Sequence, residues 1–256
     1  EAAEVLVDGT IGGKEYRFLL DTGAARTSVI LDDYTSTFGS IETSNSAAVF
    51  ATSSNDLITV PNLKLGPISK QDFTLARMSG GGEDIHVRNL IGMDLLKEVC
   101  CHFLFDQSLV LVNPSYEPEA GYSFQELFLD KAFHPYVDIQ YGRVKAKAVW
   151  DSGAGITVVD MGFIRAHPAF FEEVGQSTGT DATGSRMETP MFIMEATVIG
   201  NNRFQPHKVA GVDLSQVNAT IEVPMDMILG YSTLSKANWL IDFPRCKWAI
   251  TKLLNI

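Results

Sequence analysis

This sequence predicts a mainly β fold of two similar lobes related by a pseudo-twofold axis. Three observations carry that reading. Short stretches rich in Val, Ile, Leu, Phe and Thr are broken by Gly, Asn, Asp and Pro; helical stretches are few and short; and one series of landmarks occurs twice in the same order.

The elements follow in chain order. Val5–Ile11 leads through Gly12-Gly13 to Tyr16–Leu20, and Tyr136–Tyr141 leads through Gly142 to Val144–Trp150, each reading as a hairpin. Asp8-Gly9 and Asp181 read as turn residues. Each hairpin ends in three apolar residues and an Asp-Thr/Ser-Gly-Ala turn, Asp21–Ala24 and Asp151–Ala154. A new β-branched stretch follows each turn, Thr27–Ile30 and Thr157–Val159. About thirty residues on, Ala51–Asp56 and Thr180–Ser185 are small and polar, suited to mobile hairpin tips. Both halves then reach an apolar-Gly pair before a short helix signal, Ile91-Gly92 and Leu229-Gly230. Both close on an apolar strand carrying an Asp, at Asp106 and Asp242. Offsets nearly match: 130 from Asp21 to Asp151, 138 from Gly92 to Gly230, and 136 from Asp106 to Asp242. Helices are predicted around Met93–Val99, Phe124–Lys131 and Met161–Val174. A solenoid needs more than two copies, so duplication into two lobes is the better reading. The lobes are assigned to residues 1–112 and 136–256. Segment 113–135 connects them, since Pro114, Pro118 and Gly121 break regular structure.

Composition narrows the function. A chain of 256 residues with 45% hydrophobic and 20% charged residues buries a real core. Its formal charge of −11, with basic residues scattered, repels nucleic acid over most of the surface. No apolar run approaches the roughly 20 residues that cross a bilayer. The chain starts at Glu1 rather than Met, which suits a removed export signal or a trimmed end. Export, periplasmic or secreted, is therefore the expectation, with the cytoplasm as the alternative. Cys100, Cys101 and Cys246 cannot all pair; free thiols are expected over a disulfide from Cys246 to one of the adjacent pair. The five histidines show no ligand spacing, and no cofactor or metal is expected. No Gly-x-Ser-x-Gly elbow is present.

One Asp-Thr/Ser-Gly is weak; two at equivalent places in a repeat are not. An apolar strand delivers each Asp to the floor of a cleft, and Gly23 and Gly153 let the backbone turn with nothing obstructing the partner lobe. A twofold axis would bring Asp21 and Asp151 together. Two carboxylates about 3 Å apart cannot readily both ionise, so they share a proton. The ionised member can take a proton from an attacking water, while the protonated one hydrogen-bonds the scissile carbonyl. Thr22 and Ser152 have hydroxyls placed to bond the opposite lobe's backbone.

On these motifs the chain resembles the aspartic peptidases, both the two-lobed pepsin-like enzymes and the homodimeric retroviral-type proteases. The resemblance runs from Val5 to Ile250 as two copies of the lobe plan. It implies the bilobal acid-protease fold, peptide or protein substrates, and an apolar-Gly pair beside each catalytic loop. Each half spans only about 115–130 residues, short for a pepsin lobe. Ala24 and Ala154 follow the Asp-Thr/Ser-Gly triplets as in retroviral-type proteases, where pepsins usually place a hydroxyl. No flap tyrosine stands at a matching place; Phe50 is the nearest aromatic. The chain thus looks like a single-chain, tandem relative of retroviral-type proteases, a monomer with both halves of its site in one polypeptide. Flap and substrate contacts are assigned to Phe50, Ala51, Thr52, Ser53, Asp181, Ala182 and Thr183. Val49, Phe50, Trp150 and Met187 near the presumed cleft suggest a preference for hydrophobic side chains. The competing reading is a non-catalytic peptide-binding or inhibitor-like module; loss of either Asp would signal it, and both are present.

Overall fold

The computed structural model describes residues 4–47, 52–79, 88–113, 121–180 and 186–254, leaving aside the side chains of 44–47, 52–54, 180 and 186. Among these residues the strands form sheets of seven, ten and five, with four short α-helices.

In the seven-stranded sheet, Leu6–Ile11 and Lys14–Leu20 form an antiparallel hairpin in which Leu6 faces Leu19. Lys14–Leu20 then pairs in parallel with Asn89–Ile91, Leu20 opposite Ile91. Ser28–Ile30 runs parallel to Ile68–Met78 and antiparallel to Asn89–Ile91. Thr52–Leu65 and Glu42–Ala47 complete the sheet on that side.

The ten-stranded sheet repeats the plan. Pro135–Tyr141 and Val144–Trp150 form the hairpin, and Trp150 pairs in parallel with Leu229 of Met227–Leu229. Val158–Asp160 runs parallel to His207–Val212 and antiparallel to Met227–Leu229. Arg186–Met194 and Phe171–Thr180 extend the sheet outward. Each Asp turn therefore leaves a strand whose parallel neighbour ends in the apolar-Gly pair.

The five-stranded sheet is built from both halves. Cys100–Leu104 and Ala237–Asp242 pair antiparallel at its centre, Cys101 opposite Ile241. Leu109–Val112 flanks one side and Lys247–Leu253 the other. One hydrophobic core runs through both halves, from Phe18 and Ile91 to Trp150 and Trp239. At its middle the fully buried Trp150 ring lies 4.7 Å from Phe103 and 5.9 Å from Trp239, centroid to centroid. Truncating such an aromatic typically costs about 3–5 kcal/mol, so this cluster ties the halves into one folding unit.

Four sequence readings are corrected. No helix forms over Phe124–Lys131: Gln125–Glu126 covers the open edge of Lys247–Leu253, and Phe128–Leu129 pairs with the start of Pro135–Tyr141, which Thr197–Ile199 leaves unpaired. The helix begun at Met161 stops at Ala166, ahead of Pro168, and Phe171 onward is strand. Asp8-Gly9 lies within a strand, Asp8 opposite Arg17 and Gly9 opposite Tyr16. Trp150 is buried in the core and offers nothing to a substrate. All three cysteines are free; burial pushes the Cys100 and Cys101 thiols up to about 12.

Candidate active site

Each Asp turn is anchored by the strand beside it. The Asp21 amide donates to the Ile91 carbonyl (2.9 Å), and the Asp151 amide to that of Leu229 (3.0 Å). Within each turn the glycine amide donates to the carboxylate before it, Gly23 to Asp21 Oδ1 at 3.0 Å and Gly153 to Asp151 Oδ1 at 2.8 Å.

The two turns lie against each other. A Cβ built on Gly23 would lie 2.6 Å from Cγ of Asp151, and one on Gly153 would lie 2.5 Å from Oδ1 of Asp21. Any side chain at either position would collide with the opposite carboxylate, so close approach is what demands glycine here. Thr22 and Ser152 interlock beneath. Thr22 Oγ1 donates to the Trp150 carbonyl and Ser152 Oγ to the Leu20 carbonyl, both at 2.6 Å. In return the Ser152 amide donates to Thr22 Oγ1 (3.0 Å) and the Thr22 amide to Ser152 Oγ (3.2 Å). Both side chains are buried.

Electrostatics follow from this packing. Asp21 is buried and Asp151 partly exposed. Burial first, then repulsion from Asp151, pushes the Asp21 carboxyl well above the usual range, against the Gly23 and Ala24 amides. Burial also raises Asp151, opposed by the Gly153 amide, the hydrogen bond with Asp21, the Ala154 amide and the charge of His134. Burial and proximity thus both act against ionising the two carboxyls together.

A layer that sequence reasoning missed supports each turn. The Gly92 amide donates to Thr27 Oγ1 and the Gly230 amide to Thr157 Oγ1, each at 3.1 Å. Side chains at either glycine would strike the backbone of Arg26 or Ile156. In the first half Asp94 accepts from the Thr27 amide (2.9 Å) and hydroxyl (2.7 Å); burial raises this carboxyl above its ordinary value. In the second, Ser232 Oγ takes the Thr157 amide (2.9 Å), and a chain runs from Thr157 through Thr233 (2.6 Å) to His207 (2.7 Å). The threonine six residues after each Asp was the available signal. Its partners were not readable, because they differ between halves.

Of the flap assignments, Phe50, Ala51, Asp181, Ala182 and Thr183 lie outside the described residues, as does Val49. Thr52 and Ser53 belong to strand Thr52–Leu65, paired with Ala47 and Ser46. Ser54, Asn55 and Asp56, read as part of a hairpin tip, are strand as well. Met187 is exposed. Among the described residues no group of three or more His, Cys, Asp or Glu could hold a metal ion, and no helix is long and apolar enough to cross a membrane.

Residues 7–98 match the family model of the gag-polyprotein putative aspartyl protease. No curated protein sequence matches the chain. Among solved structures, the aspartic proteinase from Irpex lacteus superposes with a TM-score of 0.61 at 13% identity, covering 97% of this chain and 94% of that one. That likeness is one of fold, and it spans both lobes. The signature of that family thus covers the first lobe, and the fold of an aspartic proteinase extends across the whole chain.

Proposed function

We propose that the chain is an aspartic endopeptidase in which Asp21 and Asp151 share one proton and activate a water against a peptide bond. The observation that carries this reading is the mutual fit of the two turns, each carboxylate lying where the other turn's glycine has no side chain. The ionised carboxylate takes a proton from the water as its oxygen attacks the scissile carbonyl carbon. The protonated one hydrogen-bonds the carbonyl oxygen and then helps protonate the leaving amine. Thr22, Gly23, Ala24, Ser152, Gly153 and Ala154 hold the pair in register. The chemistry calls on protein groups and water alone.

Residues 1–112 and 136–256 serve as the two lobes, with 113–135 between them, and one chain suffices for a complete site. Hairpins Glu42–Ala47/Thr52–Leu65 and Phe171–Thr180/Arg186–Met194 lead toward the segments assigned as flaps, Phe50–Ser53 and Asp181–Thr183. Hydrophobic side chains beside the cut are the proposed preference, and an exported location the proposed setting.

The test is a mixed-peptide cleavage assay across pH, with and without a peptide mimic carrying a hydroxyl at the scissile carbon. Cleavage blocked by the mimic supports the reading. Binding of peptides without cleavage at any pH overturns it in favour of a non-catalytic module.

A further inference from the structure

The ladder of each hairpin extends past its last strand pair toward the Asp turn. In the second half the last pair is Tyr136 with Val149, and the same register carried two residues further sets His134 against Asp151. In the first half Leu6 pairs with Leu19 and the Leu20 amide bonds the Val5 carbonyl, so Glu4 stands opposite Asp21. The halves thus place different charges at the equivalent rung. Glu4 meets Arg88 at 3.5 Å, whereas His134 is held by Asp130.

The hold on His134 is unusually complete. Asp130 Oδ1 accepts the amides of Ala132 and His134, both at 2.9 Å, and Asp130 Oδ2 takes His134 Nδ1 at 2.8 Å. Between them Phe133 adopts a left-handed conformation, φ 64°, its amide on the Asp130 carbonyl at 2.9 Å. A non-glycine residue persists there only where its surroundings over-determine the conformation. Both side chains of the pair are largely buried, Asp130 at 2% and His134 at 16% exposure. With Nδ1 donating to the carboxylate, the orientation of the ring is fixed.

We propose that His134, clamped by Asp130, is a positioning residue that biases the shared proton of the pair onto Asp21, leaving Asp151 as the ionised member. The inference rests on the dyad reading above. Set against burial at Asp151 are the Gly153 amide, the hydrogen bond with Asp21, the Ala154 amide and the charge of His134, while at Asp21 they are the Gly23 and Ala24 amides. Two identical halves could not choose which carboxylate holds the proton; two halves joined in one chain can diverge at this rung. Charged groups facing His134 are Asp130 on its own turn and Asp151 on the Asp turn of its own half. Lys97 lies 4.0 Å over the neighbouring Phe133 ring, and Lys131, close by in the chain, pairs with Glu222.

The test follows kcat/KM against pH for wild type, His134→Gln and His134→Arg, using a peptide that wild type cleaves. Asp21→Asn and Asp151→Asn are assayed alongside. Removing the imidazole should move the acid limb of the profile to higher pH by roughly half a unit or more, and Arg should restore it to the wild-type position or below. A limb unmoved in His134→Gln, or an Arg variant that behaves like the Gln variant, overturns the inference. If His134→Gln fails to fold by thermal melting, His134→Arg decides alone, and a limb above wild type counts against the proposal. Full activity in Asp21→Asn or Asp151→Asn would instead sink the dyad reading itself, a separate outcome.

Discussion

Thr22 and Ser152, 130 residues apart in the chain, each donate a hydroxyl hydrogen bond into the other half's backbone while receiving the other's amide. This exchange is buried and carries the register of the two Asp turns. Thr22→Ala or Ser152→Ala should therefore destabilise the fold by about 1–3 kcal/mol, the cost of leaving a buried carbonyl and amide without partners. Activity should fall further than stability, since the carboxylates lose their alignment. Thr22→Ser keeps the hydroxyl and should retain most of both. Denaturant melts with parallel kinetics check this, and an Ala variant as stable and active as wild type would contradict it.

Asp21→Asn and Asp151→Asn should each abolish turnover, because Asn is nearly isosteric but cannot share the proton. The double variant should be little worse than either single one, as the carboxylates act as a unit. Stability should move the other way. Asp21 has a folded-state pKa raised above its unfolded value, so the native state binds the proton more tightly, and its ionisation at higher pH weakens the fold. Near pH 7 the Asp21→Asn variant should melt at a higher temperature than wild type, and the gap should close as pH falls through the raised pKa toward the unfolded one. A variant retaining more than about a tenth of wild-type rate would remove that residue from the mechanism.

Ala24 and Ala154 offer each carboxylate a backbone amide but no hydroxyl. A serine there could donate to the outer oxygen and favour the ionised form, lowering the pair's apparent pKa values. Wild type should accordingly show a bell-shaped profile with its optimum at roughly pH 4–6.5. Ala24→Ser or Ala154→Ser should shift the profile toward acid. A wild-type optimum near pH 2 (roughly where pepsin-like pairs work) or an alkaline shift in the Ser variants would rule this account out.

Both carboxylates come from one polypeptide, and the Phe103–Trp150–Trp239 cluster packs the halves on one core. Specific activity should stay flat on dilution through the nanomolar range, where an obligate dimer begins to dissociate. A steep loss of specific activity would show that a second chain completes the site.

By itself the sequence determined the mainly β class, the twofold repeat, both hairpins, both Asp turns and the apolar-Gly pairs. Each of these is written in local chemistry: β-branched stretches, glycines where backbones must approach, and one order of landmarks used twice. Tertiary structure alone decided the rest. Residues 124–131 carry a local helix signal, yet the open edge of Lys247–Leu253 and the unpaired start of Pro135–Tyr141 draw Gln125–Glu126 and Phe128–Leu129 into strands, since unpaired backbone groups outweigh weak propensity. Trp150 reads as an apolar residue beside the site; only the packing of the second half on the first buries it between Phe103 and Trp239. The supports that touch Thr27 and Thr157 directly, Asp94 in one half and Ser232 and Thr233 in the other, lie 67 to 76 residues from them, and His207 is reached through Thr233. No local pattern records such a contact. The mutual fit of Gly23 with Asp151 and Gly153 with Asp21 is of the same kind: the sequence supplies the two turns, and the shared sheet and core bring them face to face.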